Sequence, residues 1–249
     1  MSNFRMITAA LGALILAAAF AALAGCGLGM SANKPEVGPA GKPAEAKANP
    51  PFFNRFQAAP AQFYDLEATA GSTFEGINKE NWEQAEAGLS QLQSTWEETK
   101  QQVGDMKGVG DGDKALAKLT EAVMAKQITV SYESLNRFMG VISDMGKNYK
   151  LSPISDIVAA GNTIRNVSFY IEDKNWLKAG AKAKEMSDSW NRSKPALEQF
   201  GILGEVTKTH SFVNQLRDAV AAENKSAADE RIADLNTSMG RIREYYRGR

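Results

Sequence analysis

The chain has 249 residues, 29 of them basic and 29 acidic, so its formal net charge is zero and nothing overall recommends nucleic acid as a partner. Hydrophobic residues make up 43% and charged residues 23%, the balance of a globular protein. There is one cysteine, Cys26, and one histidine, His210, which excludes an intramolecular disulfide and any zinc-finger or iron–sulfur site needing several thiolates.

The segment "MSNFRMITAALGALILAAAFAALAGC" comes first. Arg5 is its lone charge, followed by an apolar run from Met6 to Leu23, the pattern of an export signal. The run is rather short, rich in Ala and Gly, and ends at Leu23, Ala24, Gly25 and Cys26. These four residues resemble the lipobox of bacterial lipoproteins. The resemblance implies loss of residues 1–25, a diacylglyceryl group on the Cys26 sulfur, and a fatty acyl group such as palmitate on its new amine. Several acyl chains, each methylene adding ~0.8 kcal/mol, anchor a protein where one chain does not. The location this implies is the extracytoplasmic face of a bacterial membrane, the cell membrane or an outer membrane. From Cys26 to Pro60 the sequence is dense in Pro, Gly, Ala and Lys and has no apolar period. Too little surface can be buried there to offset ordering, so 26–60 reads as a disordered, flexible tether.

Next comes an opening helix from Ala61, ending near Ile77. Trp82, Ala85, Leu89, Leu92, Trp96 and Val103 then form an a/d seam at offsets 0, 3, 7, 10, 14 and 21. Asn81 precedes it as an N-cap, its side-chain oxygen suited to an orphan backbone N–H. The stretch "GVGDGDKA" from Gly108 has a calcium-loop flavour. It lacks the ligand spacing and the closing Glu, and reads as a flexible linker. A closing helix pair through Leu135, Phe138, Ile142, Met145 and Tyr149 follows.

The same frame returns 94 residues later, with Asn175 as cap and Trp176, Ala179, Ala183, Met186, Trp190 and Leu197 as seam. Pro153 suits the first turn of the helix before it, and Pro195 ends or kinks this second Trp helix. Ile232, Leu235, Met239, Ile242 and Tyr246 repeat the closing pattern at an offset of 97. No alternating β-branched run is present, so no strand is assigned. Nor is a period of 33 to 47 residues visible, as helical solenoids would show.

The fold expected is therefore all-α: a tandem duplication of a four-helix unit, eight helices in total, with units at 61–150 and 151–249. Trp82, Trp96, Trp176 and Trp190 are the expected structural core of the repeats. Unit one carries 14 acidic and 9 basic residues, unit two 13 and 15. The basic, aromatic end "GRIREYYRGR" suits a helix C-terminus or contact with anionic lipid head groups.

The frame Ile-x4-Trp-x2-Ala-x10-Trp followed by a helical hairpin is similar to a family of small secreted or membrane-anchored helical proteins, the domain of unknown function 4363. It is matched by Ile77, Trp82, Ala85 and Trp96, and by Ile171, Trp176, Ala179 and Trp190. Members of that family often place a His after the Trp helix. His210 falls there in unit two, but Asp113 has that register in unit one. The resemblance implies no activity.

No catalytic motif is found. His210 has only Ser211 beside it, without a Gly-x-Ser-x-Gly elbow, and Glu-x-x-His pairs, Cys-x-x-Cys-His and phosphate loops are absent. The expectation is a non-enzymatic, lipid-anchored binding or scaffolding module with no cofactor and no metal. Its partners would be the membrane, through the lipid, and another envelope protein. The alternative is a ligand-binding lipoprotein with an aromatic and Met-lined pocket in or between the units, using Trp residues with Met124, Met139, Met145 and Met186.

Overall fold

The computed structural model describes residues 58–198 and 202–247. Cys26, the Leu23–Ala24–Gly25 motif and nearly all of the expected tether lie outside them. Among the described residues there are eight helices and no strand: α1 Ala61–Asn78, α2 Trp82–Val103, α3 Val109–Met124, α4 Ile128–Gly146, α5 Ile154–Glu172, α6 Trp176–Glu198, α7 Leu203–Ala221 and α8 Lys225–Arg247. None of these is long and apolar enough to cross a membrane.

The helices pair as four hairpins, α1–α2, α3–α4, α5–α6 and α7–α8. Each hairpin turns through a residue in the left-handed region: Glu80, Lys126, Lys174 and Glu223, with φ between 51° and 56°. The bonds around them are the same four times. Glu80 N–H reaches Ile77 C=O and Asn81 N–H reaches Gly76 C=O. Lys126 and Gln127, Lys174 and Asn175, and Glu223 and Asn224 repeat both bonds. This is the Schellman arrangement, which satisfies carbonyls that a helix end leaves orphaned. Three of the following helices are then capped by Asn. Asn81 Oδ1 accepts from Gln84 N–H at 3.2 Å, and Asn175 and Asn224 accept from Lys178 and Ala227 N–H at 3.1 Å.

The turns recur at spacings of 46, 48 and 49 residues. A repeat near 47 residues is thus present, contrary to the sequence expectation, and the frame of 94 contains two hairpins. It is hidden because the residue after the cap varies: Trp82, Ile128, Trp176, Lys225. What recurs is a small buried residue three positions on, Ala85, Ser131, Ala179 and Ala228, each 0% exposed. Deeper layers match as well. Leu92, Phe138, Met186 and Leu235 are buried at one level, and Trp96, Ile142, Trp190 and Met239 at the next.

Within 61–150, α1 and α3 each lie against both α2 and α4; within 151–249, α5 and α7 each lie against both α6 and α8. The halves meet through α1, α4, α5 and α8, and one continuous apolar core runs through both. The four tight turns share one end of the molecule. Tyr132 near the second turn stacks on Phe169 near the third, with centroids 3.8 Å apart, and Lys225 after the fourth bonds Glu172 before the third at 2.7 Å. At the opposite end, Tyr64 bonds Ser152 at 2.7 Å, Tyr246 donates to the Leu197 carbonyl at 3.1 Å, and Arg247 grips Asp65 at 2.6 and 3.1 Å.

Two local expectations are corrected. "GVGDGDKA" is not a linker: Val109 onward is the start of α3. Gly112 is needed there for packing, since a Cβ would lie 2.5 Å from Cζ2 of Trp96. Helix α6 also does not end at Pro195 but continues to Glu198. Pro195 removes one hydrogen bond near the end of the helix. The Asn191 carbonyl it leaves belongs to an exposed residue, where water can take its place. Pro153 sits one residue outside α5, as its N-cap.

Gly112→Ala should cost about 1–3 kcal/mol, the usual penalty of overpacking a filled site; urea denaturation measures it. Lys126→Gly should instead stabilise by about 0.5–1 kcal/mol, because an exposed non-glycine residue with positive φ is relieved. The check is a higher midpoint at an unchanged slope.

Candidate functional site

The tryptophans divide into two kinds. Trp96 and Trp190 are buried, 1% and 3% exposed. Trp82 and Trp176, in the first turns of α2 and α6, are half-buried and pack on the core margin rather than inside it. Trp96 Nε1 donates to Asp113 Oδ1 at 2.8 Å. In the second half the corresponding donor, Trp190 Nε1, has no partner among the described residues, nor has the buried Nδ1 of His210, which stands in the register of Asp113. His210 lies inside α7. Met139, Met145 and Met186 are core residues, while Met124 is 63% exposed at the end of α3.

None of the four tryptophans lines a cavity described for the molecule. A cleft of about 580 Å³ opens along α1, α5 and α8, where the two halves meet. Phe74 and Met239 are its aromatic and methionine contributions; Ser72, Ser168 and Asn236 add neutral polar groups.

Its deep end is built on a buried ion pair. Arg165 Nη1 donates to Glu67 Oε1 at 2.7 Å and Nη2 to Oε2 at 3.1 Å, with Arg165 7% and Glu67 4% exposed. The pair bridges α1 and α5, hence the two halves. Space for it comes from Gly161, where a Cβ would lie 1.8 Å from Glu67 Oε1. Arg243 of α8 lines the same cleft and makes no ion pair among the described residues. Both Arg165 and Arg243 carry a buried Nε–H without an acceptor among the described residues.

The other end of the cleft, toward the tight turns, is acidic. Glu75 is paired with Lys79 at 2.6 Å. Glu172 and Asp229 share a single cation, Lys225, at 2.7 Å each. Burial is offset there by these contacts, which raise Lys225 above the ordinary lysine range, the bonds to Asp229 and Glu172 being the leading causes.

A second cavity of about 640 Å³ lies along α4, α5 and α6, lined by Asn136, Asn162, Asn166 and charged residues. Asn136 Oδ1 is buried there without a partner among the described residues. Asn162 Nδ2 donates to the Asn136 carbonyl at 3.2 Å, and Tyr132 OH donates to Asn166 Oδ1. Burial first of all, then neighbouring charge, pushes the Tyr132 phenol up, so it remains a donor. Among the described residues, no three His, Cys, Asp or Glu side chains come together in a way that could hold a metal ion.

Sequence reasoning missed Glu67, Arg165 and Arg243. The available signal was a charge placed on the buried stripe of an apolar helix, "IVAAGNTIRNVSFYI".

No protein-family model matches the chain, and neither the curated proteins nor the solved structures contain a match to it.

Glu67→Gln should cost about 3–5 kcal/mol, because it leaves the Arg165 guanidinium buried without its counter-charge. Replacing both residues by Leu and Met should recover most of that loss. Equilibrium denaturation of the single and double variants reads the difference.

Proposed function

We propose that the protein is a lipid-anchored, extracytoplasmic binding protein of the bacterial envelope, non-enzymatic, holding its ligand in the cleft where its two halves meet. The binding half of this reading is carried by one observation: a cleft of about 580 Å³ between the halves is bordered by the buried Glu67–Arg165 pair and by Arg243, which makes no ion pair among the described residues. The anchoring half rests on Leu23, Ala24, Gly25 and Cys26 after an apolar run.

Tandem duplication belongs to the same proposal. Support comes from the identical order of helix neighbours in 61–150 and 151–249. It comes also from the contact of Glu67 with Gly161, positions 94 apart that correspond in the two halves. Corresponding positions touch where a two-fold relation passes between copies.

A scaffolding role that meets another envelope protein is favoured by a different observation. Leu177, beside Trp176 in the first turn of α6, is 87% exposed.

The anchoring is tested with Cys26→Ala in cells supplied with labelled palmitate. The wild type should fractionate with membranes, carry label and lose the mass of residues 1–25. The variant should carry no label and keep residues 1–25. A variant that stays membrane-bound with the mature, labelled mass of the wild type would show that Cys26 is not the anchor.

A further inference from the structure

The second cavity, along α4, α5 and α6, presents free hydrogen-bonding groups of both kinds on a fixed frame. Helices α4 and α6 both pack on α5, so α5 floors the space between them. On that floor Asn166 is 6% exposed, and Tyr132 OH holds its Oδ1. Tyr132 is itself fixed by its stack on Phe169. The Asn166 Nδ2 group has no acceptor among the described residues, yet it is not closed off as Asn136 Oδ1 is. Asn162, one turn earlier on α5, is the complement. Its Nδ2 donates to the Asn136 carbonyl at 3.2 Å, which leaves its Oδ1 free and open to the cavity. One asparagine thus offers a donor and the other an acceptor, and each is held from the other side of its carboxamide.

A carboxamide carries the same N–H and C=O pair as a peptide bond. Asn162 and Asn166 stand four residues apart on one helix, about 6 Å along its axis at 1.5 Å per residue. The edge of an extended peptide repeats every second residue, about 6.6–7.2 Å at 3.3–3.6 Å per residue. The two spacings agree to within about 1 Å, inside the reach of a side-chain rotation.

The walls say what kind of chain fits. Small molecules are usually held on apolar and aromatic surfaces. Here Val130 alone of the lining residues is apolar, and none is aromatic. Lys182 and Glu185 pair with each other at 2.7 Å. Lys118 and Arg137 line the cavity without an ion pair among the described residues, against one such carboxylate, Glu133. The free charges therefore sum to one positive.

We propose that this cavity binds an extended peptide segment, acidic rather than basic, by one edge of its backbone. Asn162 Oδ1 accepts a backbone N–H, and Asn166 Nδ2 donates to a backbone C=O further along the same edge. Lys118 and Arg137 favour an acidic side chain. The proposal depends neither on the cleft at the seam nor on the lipid anchor, so it stands or fails apart from both.

The test is calorimetric titration of the full-length chain in detergent with the end-blocked peptide N-acetyl-Ala-Glu-Ala-Ala-amide. It should bind, and the same peptide with Lys in place of Glu should bind severalfold more weakly at low salt. Two further probes carry backbone N-methyl groups, one on its first and third residues, the other on its second and fourth. These block opposite edges of the strand. One of them should lose about tenfold in affinity, through a missing hydrogen bond and a methyl turned to the floor, and the other should bind like the parent. Asn162→Ala should abolish the difference between the two methylated probes. Arg137→Gln, at an exposed position, should reduce the preference for Glu over Lys and keep the preference between edges. An unchanged melting curve confirms that each variant folds, and the methylated probes test the wild type without any substitution. Absence of binding at millimolar peptide overturns the proposal. So does equal binding of the two methylated probes, tighter binding of the Lys peptide, or an edge preference that survives Asn162→Ala.

Discussion

A three-residue link containing one left-handed residue closes every helical hairpin, and the burial pattern follows from that constraint. The link sets where one helix stops and the next starts, to within a single residue. In a helix, a shift of one residue turns every side chain by about 100°. With the link constant, the fourth residue of each following helix, Ala85, Ser131, Ala179 or Ala228, is always turned into the core, and all four are small and fully buried. Larger residues fill the layers beyond it. Glu80, Lys126, Lys174 and Glu223 hold a conformation that glycine adopts more readily, and the paired backbone bonds at each turn offset that strain.

The seam between the halves obeys a second constraint, electrostatic rather than steric. Glu67 and Arg165 are too buried for water to solvate them, so each depends on the other. Apolar residues of similar size could pack such a seam as well or better. A buried ion pair is instead selective, because only one register of α1 against α5 brings the carboxylate to the guanidinium. The pair also borders the cleft, and that conjunction makes the seam the chemically distinctive place in the molecule.

Much of the helical architecture was legible in the residues. The heptad seams of α2 and α6 end where their apolar period ends, and Asn81 and Asn175 cap as their side chains allow. Asn224 was legible by the same rule but stands before Lys225, without a tryptophan to draw attention to it. The turns themselves were obscure, because glycine normally marks a left-handed residue and here Glu and Lys occupy it. Glycines misled in the opposite sense: Gly110 and Gly112 suggested a loop, whereas α3 uses Gly112 to admit the Trp96 ring. The cleft was not legible at all. Arg165 and Arg243 stand 78 residues apart and come to line one cleft only through the packing of α5 on α8, which no local pattern encodes.

The clamp of Arg247 on Asp65 joins the end of the last helix to the start of the first. The eight helices are thereby almost a closed ring, in which each helix is followed by a neighbour in space and the eighth returns to the first. In a ring the order of synthesis carries little structural meaning. The same body could be written beginning at Ile154, with α8 leading through a short linker into α1 and the cut placed between Lys147 and Pro153. That cut lies at the end away from the tight turns, so such a rearranged chain would keep all four hairpins and the whole cleft intact.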